Sequence, residues 1–340
     1  MNKNVKVCVL VTFYNQKEYV DEAMQSILCQ KTDFEYKVIV GDDGSDDGTL
    51  EKLMTWKKKY PDKVEIHISD RQGENIVRGF RASRNRINLL QYVDGDFFIF
   101  LDGDDYFTDF SKLQMQVQIL ESPNNRDCVA CAHDIEKVYT DGKRERMIGS
   151  WIPEGKIDKK KYWKEYYFHT NTIMVRSSII KQLPLDILRN NFNDNLITYS
   201  IIQFGLIYYI PRCMAAYRQT GDGIWTGEKT IVKCTRNMMM YDIANRINPK
   251  MKKETAIRLV ESWHMLFDLR KEIESDKLGE FYKEAEDQQL KWTKYWIAYN
   301  KLGFTKKTRL IMHYSYILTV NQLRKVEIKA YHLYKKIKKE

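Results

Sequence analysis

Short apolar runs alternate with amphipathic segments along the first hundred residues of the chain. The apolar runs are residues 5–11, 37–40, 64–68 and 97–101. Runs of this length, bounded by turn residues, are typical of buried strands. Between them, apolar residues recur at helical spacing in three segments, residues 19–30, 49–60 and 76–92. This alternation predicts an α/β fold in which helices cover a mostly parallel sheet.

The pattern becomes less regular beyond residue 105. Apolar periodicity predicts helices at 112–121 and 196–204, and strands at 128–139, 169–176 and 206–210. Asp141-Gly142 is typical of a hairpin turn. From about residue 228 the strand signals end and helical spacing dominates. We therefore expect residues 1–115 and 116–228 to form two halves of one α/β domain, followed by a helical C-terminal region at 229–340.

Carboxylates cluster where two of the predicted strands end. Asp42 and Asp43 follow the second apolar run, and Asp102, Asp104 and Asp105 follow the fourth. Ligands of open α/β sheets bind outside the carboxyl ends of the strands. Acids packed so closely repel one another unless a cation lies among them, and a hard divalent ion is the usual solution. The sequence therefore predicts a cation site at this sheet edge.

Turn and cap roles compete with ion binding for the first of these acidic segments. Aspartate is common in turns and at helix N-termini, which would explain Asp46 and Asp47. A calcium loop of the EF-hand type is a further alternative, because the spacing from Asp43 to Gly48 resembles the start of one. Its twelfth position, which should be a bidentate glutamate, is Met54, so that alternative is rejected.

The positive charge of the chain is concentrated at its C-terminal end. The net charge is +10, and residues 301–340 hold eleven Lys and Arg against two acidic residues. A basic tail indicates an anionic partner, a membrane surface or a nucleic acid. The nearly neutral body argues against nucleic acid. No apolar run is long enough to span a membrane, and residues 1–6 lack the order of a signal peptide, so we expect a cytoplasmic protein.

Six cysteines are scattered along the chain, and two of them form a Cys-x-x-Cys motif at Cys128 and Cys131. This spacing occurs in redox sites and in half of many zinc sites. The second half of a zinc site is missing, and the pair lies inside a predicted strand. We expect these cysteines to be reduced and structural.

Taken together, the motifs resemble those of the family 2 glycosyltransferases. The matching segments are Val-Thr-Phe-Tyr-Asn at 11–15, Val-Gly-Asp-Asp-Gly-Ser-Asp-Asp-Gly-Thr at 40–49, Phe-Leu-Asp-Gly-Asp-Asp at 100–105, Asn-Asp at 193–194, and Tyr-Arg with Gly-Ile-Trp at 217–225. Their order and spacing make the signal specific. The resemblance implies the A-type nucleotide-sugar-binding fold, a Rossmann-like mixed sheet, here with a helical C-terminal extension. It also assigns donor binding to 1–115 and acceptor binding to 116–228.

The resemblance implies a uridine pocket at the ends of the first two strands. Thr12 and Tyr14 match the positions that contact the base. Asp43 matches the carboxylate that accepts the uracil imide proton, with Asp42 beside it. Arg81 or Arg84 would be the basic residue near the donor, although a solvated helix face explains either arginine equally well.

The Asp-x-Asp motif of the family falls on Asp102 and Asp104. The resemblance implies that Asp104 ligates Mg²⁺ or Mn²⁺ at the donor diphosphate, and that Asp102 touches the ribose or the ion. Magnesium sites with one or two carboxylates plus substrate phosphates are common, which suits so sparse a motif. Asp105 is expected to contact these ligands without binding the ion itself.

The catalytic base of the family is a carboxylate, and its matching position here is Asp194. It would take the proton of an acceptor hydroxyl as that oxygen attacks the sugar and inverts the anomeric carbon. Because a predicted helix follows, Asp194 also fits a helix cap. His169 is a candidate acceptor contact, whereas His133, on an apolar strand, is expected to be a core residue.

Arg218 and Trp225 lie in the loop that closes over the donor diphosphate in similar proteins, where a cation would aid the leaving group. The aromatic and lysine-rich tail suits an interfacial membrane anchor, and a soluble helix with a frayed basic end is the alternative. Bacterial members of the family often extend lipid-linked glycans at the inner membrane, which implies a glycan or lipid-linked acceptor.

The predicted activity is that of a metal-dependent inverting glycosyltransferase with a UDP-sugar donor, acting in the synthesis of a bacterial surface polysaccharide. A nucleotidyltransferase would also place carboxylates and a metal on an α/β sheet. Its usual glycine-rich phosphate loop is missing, since residues 9–16 contain no glycine. A non-catalytic carbohydrate-binding module is the other alternative, but it leaves the clustered aspartates without a role.

Overall fold

A computed structural model of the chain describes residues 5–69, 78–148, 152–165, 167–189, 193–220, 237, 240–241 and 243–251. The chain divides into two compact units, Met1–Gly227 and Glu228–Glu340. Within the second unit, the described residues include the buried side chains of Met240, Ile243 and Ala244 and a single 3₁₀ turn, Pro249–Met251. Across the described ranges, no helix combines the length and apolar character needed to cross a bilayer.

The first unit contains one mixed sheet. Its described strands, in chain order, are β1 Val7–Phe13, β2 Tyr36–Asp42, β3 Val64–Ile68, β4 Phe97–Asp102, β5 Tyr106–Phe107, β6 Cys128–Tyr139, β7 Arg144–Arg146, β8 Gly155–Ile157, β9 Met174–Arg176 and β10 Leu206–Gln219. They are arranged in the order β3-β2-β1-β4-β9-β6-β10-β5, with β7 paired to β6 and β8 to β10. The mixed α/β sheet that the sequence predicts is therefore present.

Seven described α-helices accompany the sheet: α1 Val20–Leu28, α2 Thr49–Lys59, α3 Arg78–Leu89, α4 Lys112–Glu121, α5 Lys159–Glu165, α6 Leu185–Leu188 and α7 Asp194–Ile201. Short 3₁₀ turns occur at Leu90–Tyr92, Pro123–Asn125, Thr170–Thr172 and Ser177–Gln182. The helical spacing of α1 buries one side of the helix, namely Val20, Ala23, Met24 and Ile27. That side packs into the core with β1, β2 and β4, where the apolar residues lie out of solvent.

Four neighbouring strands, β3, β2, β1 and β4, run parallel to one another. Their register places Thr12 of β1 beside Asp102 of β4, and Phe13 beside Asp42 of β2. The next strand, β9, is antiparallel to β4. Because the parallel strands end together, the carboxylates that follow β2 and β4 lie at one edge of the sheet.

Two later segments differ from the predicted elements. The stretch 169–176 is a 3₁₀ turn followed by a strand of three residues. The turn forms because the amide and the hydroxyl of Thr172 both donate to the His169 carbonyl. Strand β10 runs for 14 residues instead of the expected five. Pro211 interrupts it, because proline cannot donate to the ladder, and the register shifts between Ile210 and Cys213. The buried segment 214–216 then continues the strand.

The described cysteines, Cys8, Cys29, Cys128, Cys131 and Cys213, are free thiols. Both cysteines of the Cys-x-x-Cys motif are buried in β6. Burial raises the pKa of the Cys128 thiol to about 11 and that of Cys131 further, so neither is activated as a thiolate.

Candidate active site

The aspartates at the end of β2 have two different environments. The carboxylate of Asp42 is fully buried and accepts hydrogen bonds from the Ser45 amide at 2.9 Å and the Ser45 hydroxyl at 2.6 Å. Asp43 instead pairs with Arg81, whose Nε lies 3.3 Å from Oδ2 and whose Nη2 lies 3.5 Å from Oδ1. Asp42 thus holds the loop in shape, while Asp43 and Arg81 form a polar pair at the sheet edge.

Helix α3 supplies a second arginine to the site. Arg86 donates to Oδ1 of Asp102 from Nε at 3.1 Å and from Nη2 at 2.5 Å. Burial opposes the charge on Asp102, but the Arg86 guanidinium outweighs it and holds the pKa of this carboxyl below its ordinary value. Sequence reasoning selected Arg81 and Arg84 on this helix and missed Arg86. Helix α3 packs against β1 and β2, and only this packing brings Arg86 to the end of β4.

Gly103 lets the acidic loop lie against β1. A Cβ atom at this position would be 2.2 Å from Cδ1 of Phe13, closer than side chains approach one another. The loop is also tied to β1 by the Gly103 amide, which donates to the Thr12 carbonyl at 2.9 Å. This close approach presents Asp104 and Asp105 directly above the ends of the parallel strands.

The carboxyl groups of Asp104 and Asp105 lie in a poorly solvated place. Burial, and then the charge of Asp102, raises the pKa of Asp104 to about 6. Burial, followed by the charges of Asp104 and Asp102, raises the pKa of Asp105 well above its ordinary value. Asp105 accepts hydrogen bonds from the Arg218 amide at 2.9 Å and from Nδ2 of Asn171 at 3.0 Å. An additional cation bound beside these carboxylates would therefore stabilise the cluster.

Arg218 lies near the end of β10 and contacts the acidic loop. Its Nε donates to the Asp104 carbonyl at 2.8 Å, and its Nη2 to Glu22 at 2.5 Å. The guanidinium also lies over the rings of Tyr19 at 4.8 Å and Tyr106 at 5.0 Å. Its predicted companion Trp225 lies outside the described residues.

Asn193, rather than Asp194, caps helix α7. Oδ1 of Asn193 accepts a hydrogen bond from the Leu196 amide at 2.8 Å, so the cap alternative for Asp194 is wrong. The Asp194 carboxylate is turned elsewhere: Oδ2 accepts from the Tyr167 hydroxyl at 2.7 Å and lies 3.6 Å from Nε2 of His169. The pKa of Tyr167 is raised well above its ordinary value, first by burial and then by the Asp194 charge, so this phenol remains a donor.

His169 lies between the two carboxylate groups of the site. Its Nδ1 is 3.9 Å from Oδ2 of Asp105, and its ring centroid is 4.4 Å from that of Tyr217. Sequence reasoning named His169 and the segment 169–172 that contains Asn171, but gave no signal for Tyr167 and did not predict the contact of Asn171 with Asp105. His133, in contrast, is fully buried in β6 with Nδ1 2.6 Å from the Asp134 carbonyl, as expected of a core residue.

The remaining predicted donor contacts lie at the same edge. Thr12 is the penultimate residue of β1 and pairs with Asp102, and its side chain contributes a hydrogen bond to that carboxylate. Tyr14 follows two residues later and is half-buried. Arg84, also half-buried, lies on α3 between the two arginines that pair with acids. The structure thus brings together Thr12, Asp43, Arg81, Arg86, Asp102, Asp104, Asp105, His169, Asp194 and Arg218.

A divalent cation fits this set of residues. Single ligand atoms of Asp102, Asp105 and His169 all lie within 4.8 Å of one another. Nδ1 of His169 is buried and has no hydrogen-bond partner among the described residues. Carboxylate oxygens and an imidazole nitrogen are ligands that Mn²⁺ and related ions accept.

The family model for Glycosyl transferase family 2 matches residues 8–183, which is more than half of the chain. The chain belongs to glycosyl transferase family 2. This finding confirms the resemblance drawn from the motifs and the predicted enzyme class. It disfavours the nucleotidyltransferase and the non-catalytic module.

Relatives differ in how much of the chain they match. An uncharacterized Mycobacterium tuberculosis protein is 27% identical over 215 residues, covering 62% of this chain and 58% of that protein. The chain thus spans less than two thirds of the length of this relative. An uncharacterized glycosyltransferase of Haemophilus influenzae is 25% identical over 333 residues, covering 93% of this chain and 97% of its own.

Solved structures share the fold. S. aureus TarS, residues 1–349 in complex with UDP-GlcNAc, has a TM-score of 0.60 and 17% identity, covering 81% of this chain and 78% of that one. The mannosyltransferase PcManGT of Pyrobaculum calidifontis, in complex with GDP-Man and Mn²⁺, has a TM-score of 0.51 and 15% identity, covering 92% and 87%. Both are A-type glycosyltransferases, so the predicted A-type fold is confirmed.

Proposed function

We propose that this chain transfers a sugar from a UDP-linked donor to a hydroxyl of a glycan or lipid-linked glycan acceptor, with inversion at the anomeric carbon. The observation that carries the proposal is the position of His169. One ring nitrogen lies 3.9 Å from Asp105 of the acidic loop and the other 3.6 Å from Asp194. The acidic loop that would bind the diphosphate and the candidate base Asp194 therefore lie close together, although 89 residues separate Asp105 from Asp194 in the chain.

The donor base would bind where β1 and β2 end. Asp43 offers a fixed acceptor for the imide N–H of uracil, and its partner Arg81 holds that carboxylate in place. Thr12 and Tyr14 would contact the base from β1. Support for uridine comes from TarS, a protein of the same fold solved with UDP-GlcNAc. Asn substituted for Asp43 keeps the shape but adds a donor, so selection for uridine would be lost.

Asp102 and Asp104 would hold Mg²⁺ or Mn²⁺ against the donor diphosphate. Such an ion, when bound, neutralises charge that develops on the leaving nucleoside diphosphate. Two neighbours of the same fold, PcManGT and GalNAc-T7, were solved with Mn²⁺. Arg218 would add a second positive charge beside the loop, from a guanidinium already anchored on the Asp104 carbonyl.

Asp194 would act as the general base. Its carboxylate accepts the proton of the acceptor hydroxyl while that oxygen bonds to the anomeric carbon and the bond to the diphosphate breaks. Tyr167 engages Oδ2, which leaves Oδ1 to face the acceptor. General-base catalysis contributes about 10²- to 10⁴-fold to a rate, so loss of this carboxylate should stop transfer almost completely.

The acceptor and the place of action extend the proposal further. His169 would line the acceptor side, and residues 116–228 would form the acceptor-binding half of the domain. The basic tail at 301–340, which lies outside the described residues, would bind the anionic inner face of the cell membrane. Flotation of the full chain with phosphatidylglycerol vesicles but not with phosphatidylcholine vesicles is the expected result, and equal flotation would argue against the anchor.

A donor panel tests the transfer reaction itself. Turnover of UDP-, GDP- and dTDP-sugars would be followed with Mn²⁺ or Mg²⁺ for the parent, Asp104→Ala and Asp194→Ala. We expect Asp104→Ala to lose metal-dependent donor binding, and Asp194→Ala to bind the donor without transferring the sugar. Asp62→Ala, an exposed acid far from the motifs, serves as the matched control. Donor binding unchanged in Asp104→Ala would exclude that residue as a ligand.

A further inference from the structure

Three side chains from two distant segments converge beneath the acidic loop. Asp102 ends β4, Asp105 follows three residues later, and His169 precedes the 3₁₀ turn Thr170–Thr172. One ligand atom of each lies within 4.8 Å of the others. The side chains of Asp105 and His169 are 1% and 4% exposed, so the group is closed from bulk water on this side.

One atom of this group lacks a partner. Nδ1 of His169 is buried, makes no hydrogen bond to any described residue, and faces Oδ2 of Asp105 at 3.9 Å. That separation is too long for a hydrogen bond. It is a separation that two ligands of one ion can have, because ligands about 2.1 Å from a metal lie up to about 4.2 Å apart. Leaving a buried nitrogen unpaired is costly, so the arrangement favours an occupant.

The charges around the group point to the same occupant. Arg86 already pairs with Asp102. Asp105 receives its two hydrogen bonds from uncharged groups, the Arg218 main-chain amide and the Asn171 side-chain amide. A buried carboxylate with only neutral donors is stabilised by a nearby cation. Asp105 and His169 are therefore complementary to a metal ion in both charge and ligand type.

The second ring nitrogen of His169 completes a pattern that is common at metal sites. A metal-ligating histidine usually directs its other nitrogen toward a carboxylate, which fixes the ring orientation and increases its basicity. Nε2 of His169 lies 3.6 Å from Oδ2 of Asp194. Asp194 is itself fixed by Tyr167 at 2.7 Å. Ligand, ring and carboxylate thus occur in the expected order, with the ring nitrogen facing Asp194 at a distance longer than a formed hydrogen bond.

We infer that His169 is a nitrogen ligand, through Nδ1, of the divalent cation that Asp102 and Asp104 would hold, and that Asp105 belongs to the same ligand set. The inference rests on the proposed function for the presence of that ion and adds its nitrogen ligand and its preference. Mg²⁺ favours oxygen ligands and sheds water reluctantly, whereas imidazole suits transition metals. The chain should therefore bind Mn²⁺ more tightly than Mg²⁺, and His169 should be the reason.

Electron spin echo spectroscopy of bound Mn²⁺ gives a direct readout. The full chain would be loaded with Mn²⁺ in the presence of excess UDP, and coupling of the ion to a directly bound ¹⁴N would be recorded. We expect an imidazole coupling in the parent, replaced by a ¹⁵N coupling in uniformly ¹⁵N-labelled protein, and lost in His169→Gln. We expect the same variant to weaken Mn²⁺ binding at least tenfold and Mg²⁺ binding less than threefold. His67→Gln, at a half-buried histidine on β3, should change neither value.

The first three of the following outcomes would overturn the inference, and the fourth would overturn only the proposed function. Absence of a protein nitrogen coupling in the parent spectrum would overturn the inference by itself. The test therefore remains decisive even if His169→Gln folds poorly. A coupling that persists in His169→Gln would assign the nitrogen to another residue. Sugar transfer with Mn²⁺ but without nitrogen coupling would overturn this inference and leave the proposed function standing. Nitrogen coupling without transfer of any sugar would overturn the proposed function and leave this inference standing.

Discussion

Arg86 donates from both Nε and Nη2 to a single carboxylate oxygen of Asp102, at 3.1 and 2.5 Å. The pair joins helix α3 to the end of β4 at the point where the acidic loop begins. The side chains are only 16% and 19% exposed, so the charges are little screened by water. The pair therefore sets the charge state of the first aspartate of the Asp-x-Asp motif.

Removal of Arg86 should lower the free energy of unfolding, because it leaves a buried charge on Asp102. Arg86→Met leaves Asp102 without its partner, and we expect a stability loss of about 3 kcal/mol at pH 7 in urea unfolding. The pKa of Asp102 is lowered in the folded parent, so its stabilisation is present above the unfolded pKa and is lost as pH falls through the folded one. The difference between parent and variant should therefore shrink toward pH 3.

Two variants make this prediction specific. Arg126→Met, at an exposed arginine remote from the acidic loop in sequence, should cost much less. The double variant Arg86→Met with Asp102→Asn should recover most of the stability, because no unpaired charge remains. A pH-independent loss in Arg86→Met would show instead that packing of the arginine stem dominates.

Substitution of Tyr167 should separate catalysis from donor binding. Tyr167→Phe removes the hydrogen bond to Oδ2 of Asp194 and leaves the donor side untouched. A hydrogen bond to a charged group contributes about 1.5 to 3 kcal/mol, so kcat should fall roughly 10- to 100-fold. The UDP dissociation constant should stay within twofold of that of the parent. A larger effect on UDP binding than on kcat would contradict the assignment of Asp194 to the acceptor step.

Gly103 should be intolerant of a side chain. In Gly103→Ala the new methyl group would lie 2.2 Å from the Phe13 ring, and overpacking of this kind costs about 1 to 3 kcal/mol. We expect a lower Tm together with weaker UDP binding, because the acidic loop is displaced. Phe13→Leu in the same chain should restore part of both losses by opening space. Normal stability of Gly103→Ala alone would mean that the loop shifts freely.

Lys112 should make stability depend on alkaline pH. It is fully buried, with its amine 2.7 Å from Oε1 of Gln116, and burial lowers its pKa well below the ordinary value. Between the lowered folded pKa and the unfolded value near 10.5, the unfolded chain binds one more proton than the folded chain. Stability should therefore rise with pH by up to about 1.4 kcal/mol per unit.

Replacing this lysine should remove that slope. Urea unfolding from pH 7 to pH 9 would measure it for Lys112→Met and for Lys58→Met, an exposed control on α2. The slope should vanish in the first variant and persist in the second. Parallel profiles for the parent and Lys112→Met would show that the buried amine stays charged in the folded protein.

The strands that carry the aspartates could be predicted because each is a short apolar run that ends in turn residues. The parallel order of β1, β2 and β4 then fixed the common edge on which Asp43 and Asp102 lie. Partnerships across the fold could not be predicted in the same way. Asn171 reaches Asp105 over 66 residues and Tyr167 reaches Asp194 over 27, and no local pattern encodes either contact.

The helix boundary at residue 193 shows why a single position can mislead. Asparagine and aspartate are both good N-cap residues, and the sequence analysis considered only Asp194 as the cap. The structure uses Asn193 as the cap, with its side chain bonded to the Leu196 amide. The cap and the candidate base are thereby separate side chains, so variants at the two positions should affect stability and turnover independently.

Strand β9 is antiparallel to β4 and lies between β4 and β6 in the sheet. The residues of the candidate site come from two separate parts of the chain. Residues that would hold the base and the ribose all precede residue 106, whereas His169, Asp194 and Arg218 lie in the later segment 167–220. Selection can therefore vary acceptor recognition in the later segments while the nucleotide pocket stays constant. Exchange of residues 167–220 between members of the family should accordingly change what receives the sugar and preserve which nucleotide delivers it.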